Sequence, residues 1–205
     1  YFQSREATNP WYDAVYSHVE QAMDDFAAAT GRRYRPFEYY GHPQAERVIV
    51  LMGSAIGTCE EVVDELLIRG EKVGVLKVRL YRPFSAAHLL QALPASAKSV
   101  AVLDRTKEPG ALAEPLYLDV MTALAEAVSR GERDALPKVI GGRYGLSSKE
   151  FGPECALAVF KELAAAQPKP RFTVGIYDDV THLSLPLAEN TLPSTARLEA
   201  LFYGL

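Results

Sequence analysis

A chain of 205 residues, 48% hydrophobic and 23% charged, is long enough to bury a core as one domain with appendages. Its net charge of -4 at pH 7 gives no general attraction for nucleic acid or an anionic membrane, and no apolar run nears the roughly 20 residues that cross a bilayer. Cys59 and Cys155 lie in helical stretches without Cys-x-x-Cys or neighbouring-histidine spacing. They read as small core residues of a reduced, cytosolic protein without a metal cluster of its own.

In chain order, Asn9-Pro10 opens an amphipathic helix with apolar positions at Tyr12, Val15, Tyr16, Val19, Met23, Phe26 and Ala27, and Gly31 stops it. His18 falls on the polar side. Residues 32–41 are basic and aromatic, but the patch is too short and the chain too acidic for a nucleic-acid platform. This stretch reads as a linker that packs its tyrosines on a domain surface. From Glu46 the pattern becomes regular. Residues 48–52 form a strand, 53–57 a turn, and Thr58 with Glu61 a capping box ahead of Val62, Val63, Leu66 and Leu67, with Gly70 closing the helix. The next strand, 73–80, runs into the polar turn 81–84, after which Ser85 caps a short helix. A third strand, 99–103, enters Leu-Asp-Arg-Thr-Lys-Glu-Pro-Gly at 103–110, and Pro115 opens a helix on Tyr117, Val120, Met121, Leu124 and Val128. The fourth strand, 138–141, is followed by a polar turn and a helix from Pro153. Residues 164–170 look like a linker, 171–176 like the strand of a further unit, and 181–205 like a stretch without a core of its own. The alternation predicts an α/β fold: a parallel sheet flanked by helices on both faces through right-handed crossovers, with an N-terminal helix and a C-terminal extension.

In a parallel sheet the turns after Met52, Leu80, Leu103 and Gly141 open at one edge, so Arg82, Arg105, Lys107, Arg143 and Lys149 are expected to converge there as an anion site or an interface. The plainer alternative is that Arg105 and Lys107 pair with Asp104, Glu108 and Glu114 and fix the loops against a neighbouring domain. Gly-Ser-Ala-Ile-Gly at 53–57 is neither a dinucleotide nor a P-loop fingerprint, and Ser147 and Ser148 do not sit in a nucleophile elbow. Asp178 and Asp179 read as a polar loop in preference to a metal site, because adjacent carboxylates on extended backbone point apart. No catalytic residue and no metal-ligand set emerges.

Several long strings carry a resemblance: residues 1–10, 77–85, 103–110, 114–120, 141–151 (Gly-Gly-Arg-Tyr-Gly-Leu-Ser-Ser-Lys-Glu-Phe) and 172–185 (Phe-Thr-Val-Gly-Ile-Tyr-Asp-Asp-Val-Thr-His-Leu-Ser-Leu). In content and order they resemble pyruvate:ferredoxin (flavodoxin) oxidoreductase, across essentially the whole chain. Residues 1–4 are then native sequence and not a tag remnant. The resemblance implies a long, multidomain, homodimeric cytoplasmic enzyme that oxidatively decarboxylates pyruvate with coenzyme A, thiamine diphosphate and iron-sulfur clusters, and reduces ferredoxin or flavodoxin. It implies that residues 1–45 close a pyrimidine-binding domain and linker, 46–168 form a domain similar to the transketolase C-terminal domain, and 169–205 open a third domain associated with coenzyme A. Val180, Thr181, His182, Leu183 and Ser184 are the positions it implies for coenzyme A contact. The chain alone is expected to be inactive and to bind none of these cofactors. Two other readings stay open: a docking module whose basic edge recognises an acidic ferredoxin or flavodoxin, and the equivalent domain of another 2-oxoacid:ferredoxin oxidoreductase.

Overall fold

The computed structural model describes residues 1–187; the part of the coreless-extension expectation that concerns 188–205 lies outside them. Two helices, α1 (Phe2–Glu6) and α2 (Asn9–Thr30), lead into β1 (Phe37–Gly41), β2 (Arg47–Leu51), α3 (Ala55–Ile68), β3 (Val73–Val78) and α4 (Ala86–Ala92). Then follow β4 (Ser99–Asp104), α5 (Pro115–Ser129), β5 (Lys138–Arg143), α6 (Pro153–Ala164) and β6 (Arg171–Thr173). The strands form one sheet in the order β1-β3-β2-β4-β5-β6.

The central strands β2 and β4 carry continuous apolar runs, at 48–51 and 100–103, because both faces of the sheet are covered. Ile49, Leu51, Val73, Val75, Ala101, Leu103 and Ile140 point to the layer of α3 and α6. Their neighbours Val48, Val50, Leu76, Val78, Val100 and Val102 point to the layer of α4 and α5, which Tyr16 of α2 joins. Cys59 on α3 and Cys155 on α6 are both buried free thiols in the first of these layers, and burial pushes both pKa values up. Gly31, at φ +76°, ends α2 by donating its N–H to the Ala27 carbonyl. Pro115 and Pro153 occupy first helical positions, and Ser85 caps α4 by accepting the His88 amide at 3.3 Å.

Three details differ from the expectation. First, residues 37–41 of the supposed linker are a strand, antiparallel to β3 from Phe37↔Val78 to Gly41↔Gly74. The sheet is therefore mixed: parallel from β3 to β6 with one antiparallel edge. The charge of this strand is paired within the sheet. Glu38 sits opposite Lys77, which is 4% exposed and bridges Glu38 and, at 2.7 Å, Glu60 of α3. Tyr39 lies so close over Gly74 that a Cβ there would overlap its ring.

Second, α3 starts at Ala55 with Ser54 at the N-cap, which places Thr58 and Glu61 inside the helix and removes the capping box. Third, the crossovers do not all share one hand. The connections through α4 and α5 step along the sheet over one face, and the one through α3 steps the opposite way over the other face, so these three agree. The β5–α6–β6 connection steps with α4 and α5 but runs over the α3 face, so its hand is opposite. Burial of Leu157, Phe160 and Leu163 against α3 and β2 draws α6 to that side.

Candidate functional site

Parallel pairing places the carboxyl ends of β2, β3, β4 and β5 on one rim. Between β2 and β4 the order reverses: α3 leaves over one face toward β3, and α5 leaves over the other toward β5. Such a switch point leaves a crevice outside the strand ends. A cleft of about 520 Å³ opens beside it, lined by Ser54 and Thr58 at the start of α3, Arg105 after β4, and Tyr144, Ser148 and Lys149 after β5. Tyr144 is half of its frame. Its hydroxyl donates to the Met52 carbonyl at 2.8 Å, its ring meets Phe151 edge-on, and burial raises its pKa. Arg105 is the other half, with Nε donating to the Gly145 carbonyl at 3.1 Å. Gly145 has φ +64°, and a Cβ on it would stand 2.9 Å from that Nε.

The opposite face of the same rim holds a buried polar knot. Asp104, 2% exposed, accepts the Leu116 amide at 2.9 Å and the Tyr117 amide at 3.1 Å, supplying the first turn of α5 with its missing acceptors. Burial raises its pKa, although these two bonds pull the other way. Arg143 is 8% exposed and lies 3.9 Å from buried Glu114, and the Arg171 guanidinium stacks 3.9 Å over the Tyr117 ring. Arg82 pairs with Asp119 of α5 at 2.7 Å and lies over the Tyr81 ring. Lys107 stands on the exposed turn and donates to the Glu108 carbonyl.

The five basic residues thus share a rim without forming one cluster: Arg105 and Lys149 line the cleft, Arg82 and Arg143 pair with acids on or beside α5, and Lys107 stands apart. The alternative pairing is not formed as expected either. Asp104 serves the α5 amides, Glu114 meets Arg143, and Arg105 holds a carbonyl.

Beyond β6 the chain folds into a small braced turn. Asp179 accepts the amides of Leu183 (2.9 Å) and Ser184 (3.1 Å). Desolvation pushes its pKa up, but these bonds and the nearby groups outweigh that and hold it below the usual range. The Ser184 hydroxyl donates to the Ile176 carbonyl at 2.8 Å, so in its 2.7 Å contact with Thr173 the threonine hydroxyl is the donor. Lys169 donates to the Ser184 carbonyl at 2.9 Å, and the Leu185 amide donates to the Thr173 carbonyl at 2.8 Å. What remains outside this bracing is the tip: Val180 is 87% exposed, and Thr181 and His182 are exposed beside it. Leu183 is half-buried. Asp178 turns away from Asp179 toward Lys149, 3.6 Å distant.

The chain from residue 45 to 145 matches the family model described as pyruvate:ferredoxin oxidoreductase core domain II. It is 85% identical over its whole length to a probable pyruvate-flavodoxin oxidoreductase of Escherichia coli (strain K12), of which it spans 18%. The chain belongs to the pyruvate:ferredoxin (flavodoxin) oxidoreductase family. Family members from Rhodospirillum rubrum (57% identical over 208 residues, 18% of that protein) and Moorella thermoacetica (59% over 190 residues, 93% of this chain and 16% of that protein) align in the same way. The chain therefore spans under a fifth of these oxidoreductases. A solved 2-oxoglutarate:ferredoxin oxidoreductase from Magnetococcus marinus aligns with 63% of the chain at 23% identity and a TM-score of 0.41, too loose a match to carry residues across.

Sequence reasoning weighed Asp104 as an ion-pair partner and Asp179 as a loop carboxylate, not as acceptors of backbone amides, and passed over Thr173 and Lys169. The loop reading of Asp179 holds, but its amide partners lie four and five residues on, beyond the two-residue reach of a simple Asx turn. Asp104 lies a full loop away from the amides that it serves, and no local pattern marks it.

Proposed function

We propose that this chain works within a longer family oxidoreductase that oxidatively decarboxylates pyruvate, passes the acetyl group to coenzyme A and delivers electrons to flavodoxin or ferredoxin. Within it, this segment organises the assembly and a homodimer, and the catalytic centre lies elsewhere. The observation that carries the reading is the 85% identity along every part of the chain to a probable pyruvate-flavodoxin oxidoreductase. The structural role is supported by the rim, where Asp104 and Arg82 are taken up by contacts within the fold and Arg143 is buried beside Glu114. Cys59 and Cys155 are sealed in the core, and two thiols cannot supply the four thiolates of an iron-sulfur cluster. Iron-sulfur clusters accordingly fall to other parts of the longer protein.

In this proposal residues 1–45 close one domain, 46–168 form the middle one and 169–205 begin the coenzyme A-associated one, in a cytoplasmic enzyme. The turn after β6 fits a coenzyme A wall: Val180, Thr181 and His182 are presented outward, while the Ser184 hydroxyl, already committed to Ile176 and Thr173, acts by positioning. The test is Thr181→Val and His182→Ala in a full-length family oxidoreductase, followed by pyruvate-dependent dye reduction. A raised KM for coenzyme A with kcat retained supports the contact; an unchanged KM in both variants removes it. The docking reading for an acidic electron carrier is weakened by the pairing of Arg82 and Arg143. Salt-sensitive binding of flavodoxin to this chain would restore it.

A further inference from the structure

We propose that the cleft between the ends of β2 and β4 is a phosphate-binding site built by Arg105 and Lys149. Its volume of about 520 Å³ falls within the range of small-molecule sites, and it lies at the place in an open α/β sheet where ligands gather. The two cations come from different turns, and each is held by a contact that leaves its charge available. Arg105 uses only Nε, on the Gly145 carbonyl, so its two terminal nitrogens have no partner among the described residues. That edge of a guanidinium is the one that grips phosphate oxygens in pairs. Lys149 has a side chain 32% exposed, and its ion pair is a 3.6 Å approach to Asp178, itself 80% exposed. A contact of that length between exposed groups yields readily to a doubly charged anion.

Glu150 is the one acid among the lining residues, so Arg105 and Lys149 against Glu150 leave the wall at +1 on a chain of net charge -4. Ser54, Thr58 and Ser148 add hydroxyl groups to the same wall. Phosphate oxygens would meet two cations and these donors without disturbing the Tyr144–Met52 bond that holds the cleft open. The ligand chemistry is a phosphate group, from free phosphate or from the phosphate end of a coenzyme. None of residues 180–184 takes part, so the site stands or falls separately from the coenzyme contact proposed above.

The experiment is calorimetric titration of inorganic phosphate into the 205-residue chain and into its Arg105→Gln and Lys149→Gln variants, with thermal unfolding recorded for each. Saturable binding is expected, weakened about tenfold by either substitution at an unchanged unfolding midpoint. Coenzyme A is then added to the phosphate complex. Displacement assigns the site to a coenzyme-borne phosphate, and no displacement assigns it to a small free anion. Thr181→Val, which tests the coenzyme contact, should leave phosphate binding as it was. Absence of saturable binding, or binding that survives the Arg105→Gln, Lys149→Gln double variant, overturns the proposal.

Discussion

Asp104 and Asp179 make the same contacts in opposite surroundings. Each carboxylate accepts two backbone amides, Leu116 and Tyr117 at the base of α5 or Leu183 and Ser184 in the turn after β6. The first is buried and its pKa rises; the second is half-buried and its pKa falls. Desolvation raises both, but around Asp104 the acids Glu114 and Asp119 push the same way, whereas around Asp179 the Ser184 hydroxyl and His182 join the amides in favouring the charged form. One aspartate spends desolvation energy to start a helix inside the fold. The other stiffens a turn in which the accepted bonds and nearby groups outweigh the desolvation.

The sharpest way to break this comparison is Asp104→Ala, which strands two buried amides. A loss of about 2–4 kcal/mol in urea unfolding is expected, with Asp104→Asn losing less because an acceptor oxygen remains. A loss below that of an ordinary surface substitution would show that water replaces the carboxylate. Next comes the sheet beneath the knot. A Cβ on Gly142 would overlap Phe172 and Leu103, so Gly142→Ala should cost about 1–3 kcal/mol, read from the same transition. Asp179→Ala should leave the global midpoint in place and speed hydrogen exchange at Leu183 and Ser184 alone, because the turn opens locally.

The pH dependence should be the smallest effect and should differ in sign. Unfolded aspartate titrates near pH 4. Asp179, with its folded pKa lowered, contributes stability that is present above that value and lost as pH falls through the folded pKa. Asp104, with its folded pKa raised, costs stability once pH has climbed through its folded pKa, and that cost vanishes in acid. Amide exchange followed down to about pH 3 should therefore loosen Leu183 and Ser184 while Leu116 and Tyr117 keep their protection. Parallel loss at both pairs would contradict the assignment.

Much of the architecture was legible because the inner strands and covering helices carry unmistakable periods. Runs such as 48–52 and 100–103 are apolar throughout, and Pro115, Pro153, Ser85 and Gly31 mark helix ends by local chemistry. Residues 37–41 escaped because their polar partner is remote: Glu38 makes sense in a strand only once Lys77 stands opposite. The hand of the last crossover escaped for a similar reason, since it depends on which apolar layer α6 completes. At the rim, parallel topology predicted a common edge for the five cations. Which of them stays available depends on Asp119, Glu114 and the Gly145 carbonyl, none of them set by spacing along the chain.

The antiparallel border strand has a practical consequence for anyone trimming this molecule. Cutting away everything before residue 46 would leave Val73–Val78, buried along its whole length, as the outermost strand, with a row of open amides and carbonyls on its flank. Such a shortened piece should clump with its own copies on concentration, whereas one starting ahead of Phe37 should stay dispersed.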